Sequence, residues 1–571
     1  MPDAHRADAV LAPAVRPVRE ALLPEIQRLM REEEITGLSI ALASSDELLW
    51  AEGFGHADRA SGRPATLDTV YQAGSLAKPL TAIGVMLLAD RGQIDLDRPV
   101  SQYLPGFSVR SRTPGAVEEI TVRNLLSHHS GLPTDRMKGM WTATPFTEVL
   151  TELPDDYIAY PPNLVFSYSN LGYTVLGHLV EAVSHRPFAT YMDEAVIQPL
   201  GLEQTGFALS PGLAARVATG YRAGKGSSPS PVRDTPALGL YTSVLDLTRL
   251  AQALMRTPSN GDRPGIDQRL AERLFEPQNS DVELDFEVRT GLGWFIEDDR
   301  IPGAGRVIRH GGTTLLFAGE LILLPEQRLT AAVLANSAGS GPAVGYLAQR
   351  AVSAALSLTT GAGASAPPSH PARSPAPEAV APWISGRYAT RLGLLAIDTG
   401  QQQLCACLIG RPLALDSLPG GWFRVKAGDA AALPQELATL QTLELAVREI
   451  SGRDVVVARD GEHEFLLGER MGADLAPDAW VRLAGRYEVV DPDLGFPLED
   501  PTLRYEHGFL CMSYRVPALT DRPVRLPLQP LSETEAVVGG LGRGRGDTVQ
   551  IVKADGEPML RFSGYLMRRV R

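Results

Sequence analysis

A stretch from Thr359 to Pro382, rich in Gly, Ala, Ser and Pro, offers little to bury and reads as a linker that divides the chain. Before it, helical and strand-like segments mix. After it, short strand-like segments alternate with Gly, Pro and Asp. With 571 residues the chain is too long for one core, so several domains are expected. The second half carries a repeat. Trp383-Ile-Ser-Gly386-Arg387-Tyr388 recurs as Trp480-Val-Arg-Leu-Ala-Gly485-Arg486-Tyr487, and Leu404-Cys405 is echoed by Leu510-Cys511. Copies about a hundred residues apart are domain-sized, which predicts two small antiparallel β-barrels over 383–475 and 476–571. A single larger β domain is the alternative.

Residues 1–358 read as a third domain. Leu22–Glu34 is an amphipathic helix, and Gly37–Ser44 with Leu48–Phe54 forms a hairpin around Ser45-Asp46. Leu315–Leu324 and Leu329–Leu334 flank a second turn at Pro325–Arg328, and Pro342–Leu358 is a closing helix. Between about Asp95 and Met255 the pattern is mostly helices and loops. Strands at both ends with helices between predict an α+β fold: one antiparallel sheet flanked by the terminal helices, with a helical subdomain inserted. A crevice is expected where the insert meets the sheet.

A net charge of -13 argues against nucleic acid or an anionic membrane as partner. No uninterrupted apolar run is long enough to span a bilayer, and Met1–Arg19 has no apolar signal region. The cysteines are Cys405, Cys407 and Cys511, an odd number without metal-like spacing. Thiols buried on strands, no metal or cofactor, and a reducing cytoplasm are the expectation.

The chemistry is concentrated between Tyr71 and Gly92. Ser75 and Lys78 stand three residues apart at the head of an apolar helix, so they share a face. A serine needs a neighbouring base to become a good nucleophile, and a lysine buried in a core can lose its proton. Lysine is scarce here, at Lys78, Lys138, Lys225, Lys426 and Lys553 alone. A retained lysine fits a role that arginine cannot fill. A snorkelling lysine beside a helix-start serine is the bland alternative. A second motif, Phe166-Ser-Tyr168-Ser169-Asn170, precedes another helical run. A nearby ammonium would make the Tyr168 phenol more acidic, so Tyr168 could accept the Ser75 proton. The third motif is Arg309-His310-Gly311-Gly312-Thr313, just before a strand, where two glycines admit close backbone approach. A structural turn is its bland alternative.

Together and in this order, the motifs resemble the serine β-lactamase and penicillin-binding protein superfamily, nearest its class C β-lactamase, S-x-x-K esterase and D-aminopeptidase branch. Supporting matches are Ile120-Thr-Val-Arg-Asn-Leu-Leu-Ser-His-His-Ser-Gly-Leu-Pro133, Ala218-Thr-Gly-Tyr221, Gly239-Leu-Tyr-Thr-Ser243 and Gly291-Leu-Gly-Trp294. The resemblance covers roughly Leu22 to Leu358. It implies that Ser75 is the nucleophile, that Lys78 and Tyr168 share the base work, and that Asn170 orients Lys78 and the acyl side chain. The backbone N–H groups of Ser75 and Thr313 would form the oxyanion hole, with Gly311 and Gly312 beside it. His310 stands where many relatives have a lysine for the substrate carboxylate, which is more like the esterase and D-aminopeptidase branch.

Two barrels after the hydrolase domain resemble the three-domain D-aminopeptidases, where a loop of the last barrel reaches the active site. Val516–Val524 is the candidate loop here, with Asp521 available for a substrate ammonium; an exposed hairpin charge is the alternative. His128 and His129 fall in a segment that supports the cleft in the family, and no carboxylate at metal-ligand spacing pairs with them. The expected function is a serine hydrolase acting on amide bonds of short or unusual peptides. A carboxylesterase, an acyl transferase or peptide cyclase, and a penicillin-binding scaffold without turnover are the alternatives.

Overall fold

The computed structural model describes residues 9–570 apart from 257–265, 299, 361–383, 399–404, 409–410, 427–428, 430–439, 473–476, 493–495, 507–508 and 555. Most of the linker, with Trp383 and Leu404 of the repeat, lies outside the described residues.

The domain before the linker is built on one antiparallel sheet drawn from both ends of its sequence. Its order is Val10–Leu11, Leu48–Asp58, Gly37–Ser44, Leu329–Ala335, Ala318–Leu324, Arg306–Thr313, Phe295–Asp298, Arg289–Thr290. The seam is the pairing of Gly37–Ser44 with Leu329–Ala335, in register from Leu38↔Ala335 to Ser44↔Leu329. Because side chains alternate along a strand, each central strand feeds two cores. Ile40, Leu42, Ala331 and Val333 face the helices Arg16–Glu32 and Gly341–Thr360 through Leu22, Ile26, Leu347 and Ala351. Ala41, Ala332 and Leu334 face the other way, into the core shared with Leu80, Ile83, Leu171 and Val175 of the inserted helices. The first helix starts at Arg16, earlier than the apolar pattern suggests, because Pro17 is suited to a first turn.

The two barrels are closed meanders of eight described strands each, running from Gly386–Thr390 to His463–Arg470 and from Gly485–Val489 to Tyr565–Arg569. The repeated Gly-Arg-Tyr is the closure device. Tyr388 pairs with Arg470 and Tyr487 with Arg569 across the closing strands. Each buried tyrosine donates its hydroxyl to a carbonyl four residues back, Ile384 at 2.7 Å and Leu483 at 2.5 Å. The glycine of each copy leaves room for that arginine: a β-carbon on Gly386 would sit 2.4 Å from Arg470 Nη1.

The cysteines depart from expectation. All three lie on strands, but Cys405 is exposed and Cys407 and Cys511 are half-buried. Their alternating positions on small barrels put them outside the filled interior. Among the described residues no helix is long and apolar enough to cross a membrane.

Candidate active site

The strand Tyr71–Gly74 hands over to the helix Ala77–Asp90, and Ser75 sits at the bend. Gly74 makes the bend with φ of 55°. A β-carbon there would lie 2.7 Å from the Thr313 carbonyl oxygen and 3.0 Å from the Thr313 nitrogen. At Gly312 a β-carbon would meet the Ala73 oxygen at 1.9 Å. Glycine at these two positions therefore lets the strand Arg306–Thr313 lie against the Ser75 bend, bringing the Thr313 amide beside the Ser75 backbone. The His310–Thr313 motif is itself the end of this strand and leads into a turn closed by the Thr314 N–H on the Phe317 carbonyl; it is not a turn placed before a strand. The following strand starts only at Ala318.

Lys78 is fully buried one helical turn on, and its Nζ lies 3.2 Å from Ser75 Oγ. The same nitrogen donates to Asn170 Oδ1 at 2.6 Å and to the Ala237 carbonyl at 3.0 Å. Burial, and secondarily the charge of Arg543, holds the amine well below the ordinary lysine range, against the opposing pull of Asp135 and Asp234. Asn170 opens the helix Asn170–Ser184, which Ser169 caps by accepting from the Gly172 N–H at 2.9 Å. That frees the Asn170 side chain to face Lys78, while its Nδ2 donates to Asp135 Oδ1 at 2.6 Å.

Tyr168 is buried, with its hydroxyl hydrogen-bonded to Ser75 and its ring centroid 4.7 Å from Lys78 Nζ. The sequence predicts a more acidic phenol; the opposite is found. Burial pushes its pKa up to about 12, and the same burial disfavours the charge of the lysine that was to lower it. His310 is buried too, and burial pushes its pKa down to about 3. Its Nδ1 donates to the Gly311 carbonyl at 2.7 Å, so the neutral ring keeps a lone pair on Nε2.

His128 lies under the site. Its ring stacks on Tyr168 with centroids 4.3 Å apart, and its Nδ1 accepts from the Ser169 N–H at 3.0 Å. His129 has a carboxylate partner far away in the sequence. Its Nε2 is 2.8 Å from Asp285, which also accepts from the Phe166 N–H and from Asn279. Asp285 therefore braces the segment that leads to Tyr168. Among the described residues no group of three or more His, Cys, Asp or Glu could hold a metal ion.

A loop of the second barrel does reach the site, but not the expected one. Val516–Val524 forms a strand turn at the rim, where the Ala518 carbonyl accepts from Arg222, which also donates to Leu315 at 2.7 Å. Asp521 lies within it, on the strand that starts at Thr520, and its side chain is outside the described residues. The loop that enters is Gly539-Gly-Leu-Gly542-Arg543-Gly544-Arg545-Gly546. Its Gly540 carbonyl accepts from the Tyr160 hydroxyl at 2.8 Å, and its Gly544 N–H donates to Thr134 Oγ1 at 2.8 Å. A turn closed by the Arg545 N–H on the Gly542 carbonyl presents Arg543, whose guanidinium lies 4.8 Å from the Tyr168 ring centroid. The alternating glycines were the available signal. In sequence they are indistinguishable from an ordinary barrel turn.

The fold and the Ser-Lys-Tyr cluster define a β-lactamase-like serine hydrolase architecture with two appended barrels. The chain belongs to the Beta-lactamase family, whose model matches residues 24–356. It is 27% identical to beta-lactamase-like 1 of Homo sapiens over 91% of this chain and 97% of that one. It is 25% identical to Protein flp of Staphylococcus aureus strain N315 over 54% of this chain and 61% of that one. The octameric penicillin-binding protein homologue from Pyrococcus abyssi superposes with a TM-score of 0.51 at 20% identity, covering 96% of this chain and 99% of that one, a likeness of fold. SurE solved with D-Leu gives a TM-score of 0.56 at 25% identity, covering 80% of this chain and 100% of that one.

Proposed function

We propose that the protein forms an acyl-enzyme on Ser75 and hydrolyses amide bonds in short or unusual peptides, including those with D-residues. One observation carries the reading: the hydrogen-bond count at Lys78. A neutral amine has two N–H donors and one lone pair. Asn170 Oδ1 and the Ala237 carbonyl take the donors, so the lone pair is left for the Ser75 hydroxyl at 3.2 Å. Lys78 then removes the Ser75 proton as Oγ attacks the carbonyl carbon. The Ser75 and Thr313 N–H groups hold the oxyanion. Tyr168, neutral and hydrogen-bonded to Ser75, passes a proton to the leaving amine and is reprotonated by the Lys78 ammonium; Lys78, neutral again, then takes a proton from the water that attacks the ester carbonyl and, through Tyr168, returns it to Ser75 Oγ as the acyl group leaves.

Arg543 supports a substrate with a free carboxylate. It is exposed at the cleft and stands over Tyr168, whereas His310 on the sheet is neutral and cannot supply a charge. D-Leu in the similar SurE structure supports an amino-acid-like ligand. A carboxylesterase using the same groups is the second reading, favoured by that neutral His310, because many ester acyl groups carry no anion.

Intact-mass detection across p-nitroanilides and p-nitrophenyl esters tests the proposal. An acyl adduct on the parent and none on Ser75→Ala is expected; near-normal turnover by Ser75→Ala overturns it. Arg543→Ala should raise KM for a peptide with a free C-terminal carboxylate about tenfold, as loss of one charge-assisted contact does, and leave the amidated peptide alone. Steady-state kinetics on the matched pair checks it.

A further inference from the structure

We infer that Asp135 is the specificity residue that receives a primary ammonium of the substrate, an inference that rests on the acyl-enzyme reading of Ser75. Asp135 is half-buried and joined to the centre through two hydrogen bonds, Asp135 to Asn170 and Asn170 to Lys78, each 2.6 Å. Its charge is felt by both Lys78 and Tyr168. Among the described residues the Asp135 carboxylate accepts one hydrogen bond, at Oδ1 from the neutral amide of Asn170. A carboxylate has about four lone-pair sites, so Asp135 is left short of donors.

The neighbouring cations are already committed. Arg136 pairs with Glu152 and with Asp156, Lys138 with Asp491, and Arg233 with Asp234. Arg543 is directed over the Tyr168 ring. Among the described residues no lysine, arginine or histidine forms an ion pair with Asp135. A half-buried carboxylate with spare lone pairs and no direct ion-pair partner is open to one supplied by a ligand.

The segment is also held stiffly. Ser563 of the second barrel donates its hydroxyl to the Asp135 carbonyl at 3.2 Å and accepts from the Met137 N–H at 2.9 Å. On the other side, the Thr134 carbonyl accepts from the Asn170 N–H at 2.8 Å, and Thr134 Oγ1 is the acceptor of Gly544. Two barrel loops thus fix Thr134-Asp135 between them, and the same barrel presents Arg543. One anion, reached from Lys78 through Asn170, and one cation, over the Tyr168 ring, consequently stand near the Ser75–Lys78–Tyr168 cluster, a pattern suited to a substrate that carries both charges.

The experiment measures binding, so it does not depend on turnover. Full-length Ser75→Ala is titrated calorimetrically with leucinamide and with N-acetyl-leucinamide, both enantiomers of each. The free amine should bind at least about tenfold tighter. Adding Asp135→Asn, which retains an acceptor for Asn170, should bring the ratio to about one. If Asp135 only positions Asn170, Asp135→Asn leaves the ratio where it was and Asp135→Ala weakens both ligands equally; that result overturns the inference. So does an absence of preference, or of measurable binding by either ligand. An amine preference that depends on Asp135, found without any acyl adduct on the parent, sinks the hydrolase reading and leaves the amine site standing.

Discussion

Lys78→Met is expected to fold and to lose Ser75 acylation by about 10²–10⁴-fold, the usual worth of a general base. Methionine is close to lysine in volume and leaves the fully buried slot filled. It strands two acceptors, Asn170 Oδ1 and the Ala237 carbonyl, at about 1–3 kcal/mol each. Against that loss stands a gain that depends on pH. The buried lysine is held below its ordinary value, so between that depressed value and about 10.4 the unfolded chain binds a proton that the folded one does not. Parent stability at this residue therefore falls as pH drops through the window and returns as pH rises to its top. The variant has no such slope. Urea unfolding of both proteins from pH 6 to pH 10 should show the parent gaining on Lys78→Met with rising pH. In the parent, acylation by a fluorophosphonate should reach its plateau well below the ordinary lysine value. A parallel pH profile for the two proteins, or acylation that keeps climbing to pH 10, contradicts a neutral Lys78.

Gly312→Ala is expected to damage both the fold and the chemistry. Its methyl would sit 1.9 Å from the Ala73 oxygen and 3.0 Å from the Leu76 nitrogen, and both of these are backbone. The strand must then move away from the Ser75 bend, which parts the Thr313 and Ser75 amides. Overpacking of this kind costs about 1–3 kcal/mol, and losing one oxyanion donor costs about 10²–10³-fold in rate. Gly311→Ala is the control. Its methyl would meet the carboxylate end of Glu320 at 2.7 Å, a side-chain contact that can shift. Thermal melting and acylation rates on the two variants check this, and equal damage from both would contradict the close approach of strand and bend.

Local spacing made part of this site readable. Ser75 and Lys78 lie one turn apart on an apolar helix, and Asn170 follows a capping serine, so helix geometry alone brings their faces inward. The sheet was readable because apolar alternation at Gly37–Ser44 and Leu329–Ala335 requires a partner on each side. Gly-Arg-Tyr marked both barrel starts because each copy meets the same demand at closure.

What escaped depends on distance or on environment. Asp285 lies 156 residues from His129, and no local pattern connects them. Arg543 sits in a glycine run that serves equally well as a surface turn, so the rim hairpin with Asp521 drew attention instead. Asp135 follows Pro-Thr and reads as a loop carboxylate until Asn170 is seen beside it. The acidity of Tyr168 was misjudged because a neighbouring amine counts only if it is charged, and burial removes that charge. The thiols were misplaced because a strand on a small barrel has an outer as well as an inner side.

The order in which the pocket is assembled follows from its parts. Ser75, Lys78, Tyr168 and His310 are all translated before residue 336, and the large sheet, which carries His310, is completed by Leu329–Ala335. The wall that bears Arg543, and the clasp at Ser563 that grips the Asp135 segment, come from the final strands of the second barrel. A product of early termination or of cleavage in the 361–383 stretch would therefore carry the complete acylating cluster in an unroofed groove. Such a fragment would keep Ser75, Lys78, Tyr168 and Asp135 and would lack Arg543 and the Ser563 clasp on the Asp135 segment.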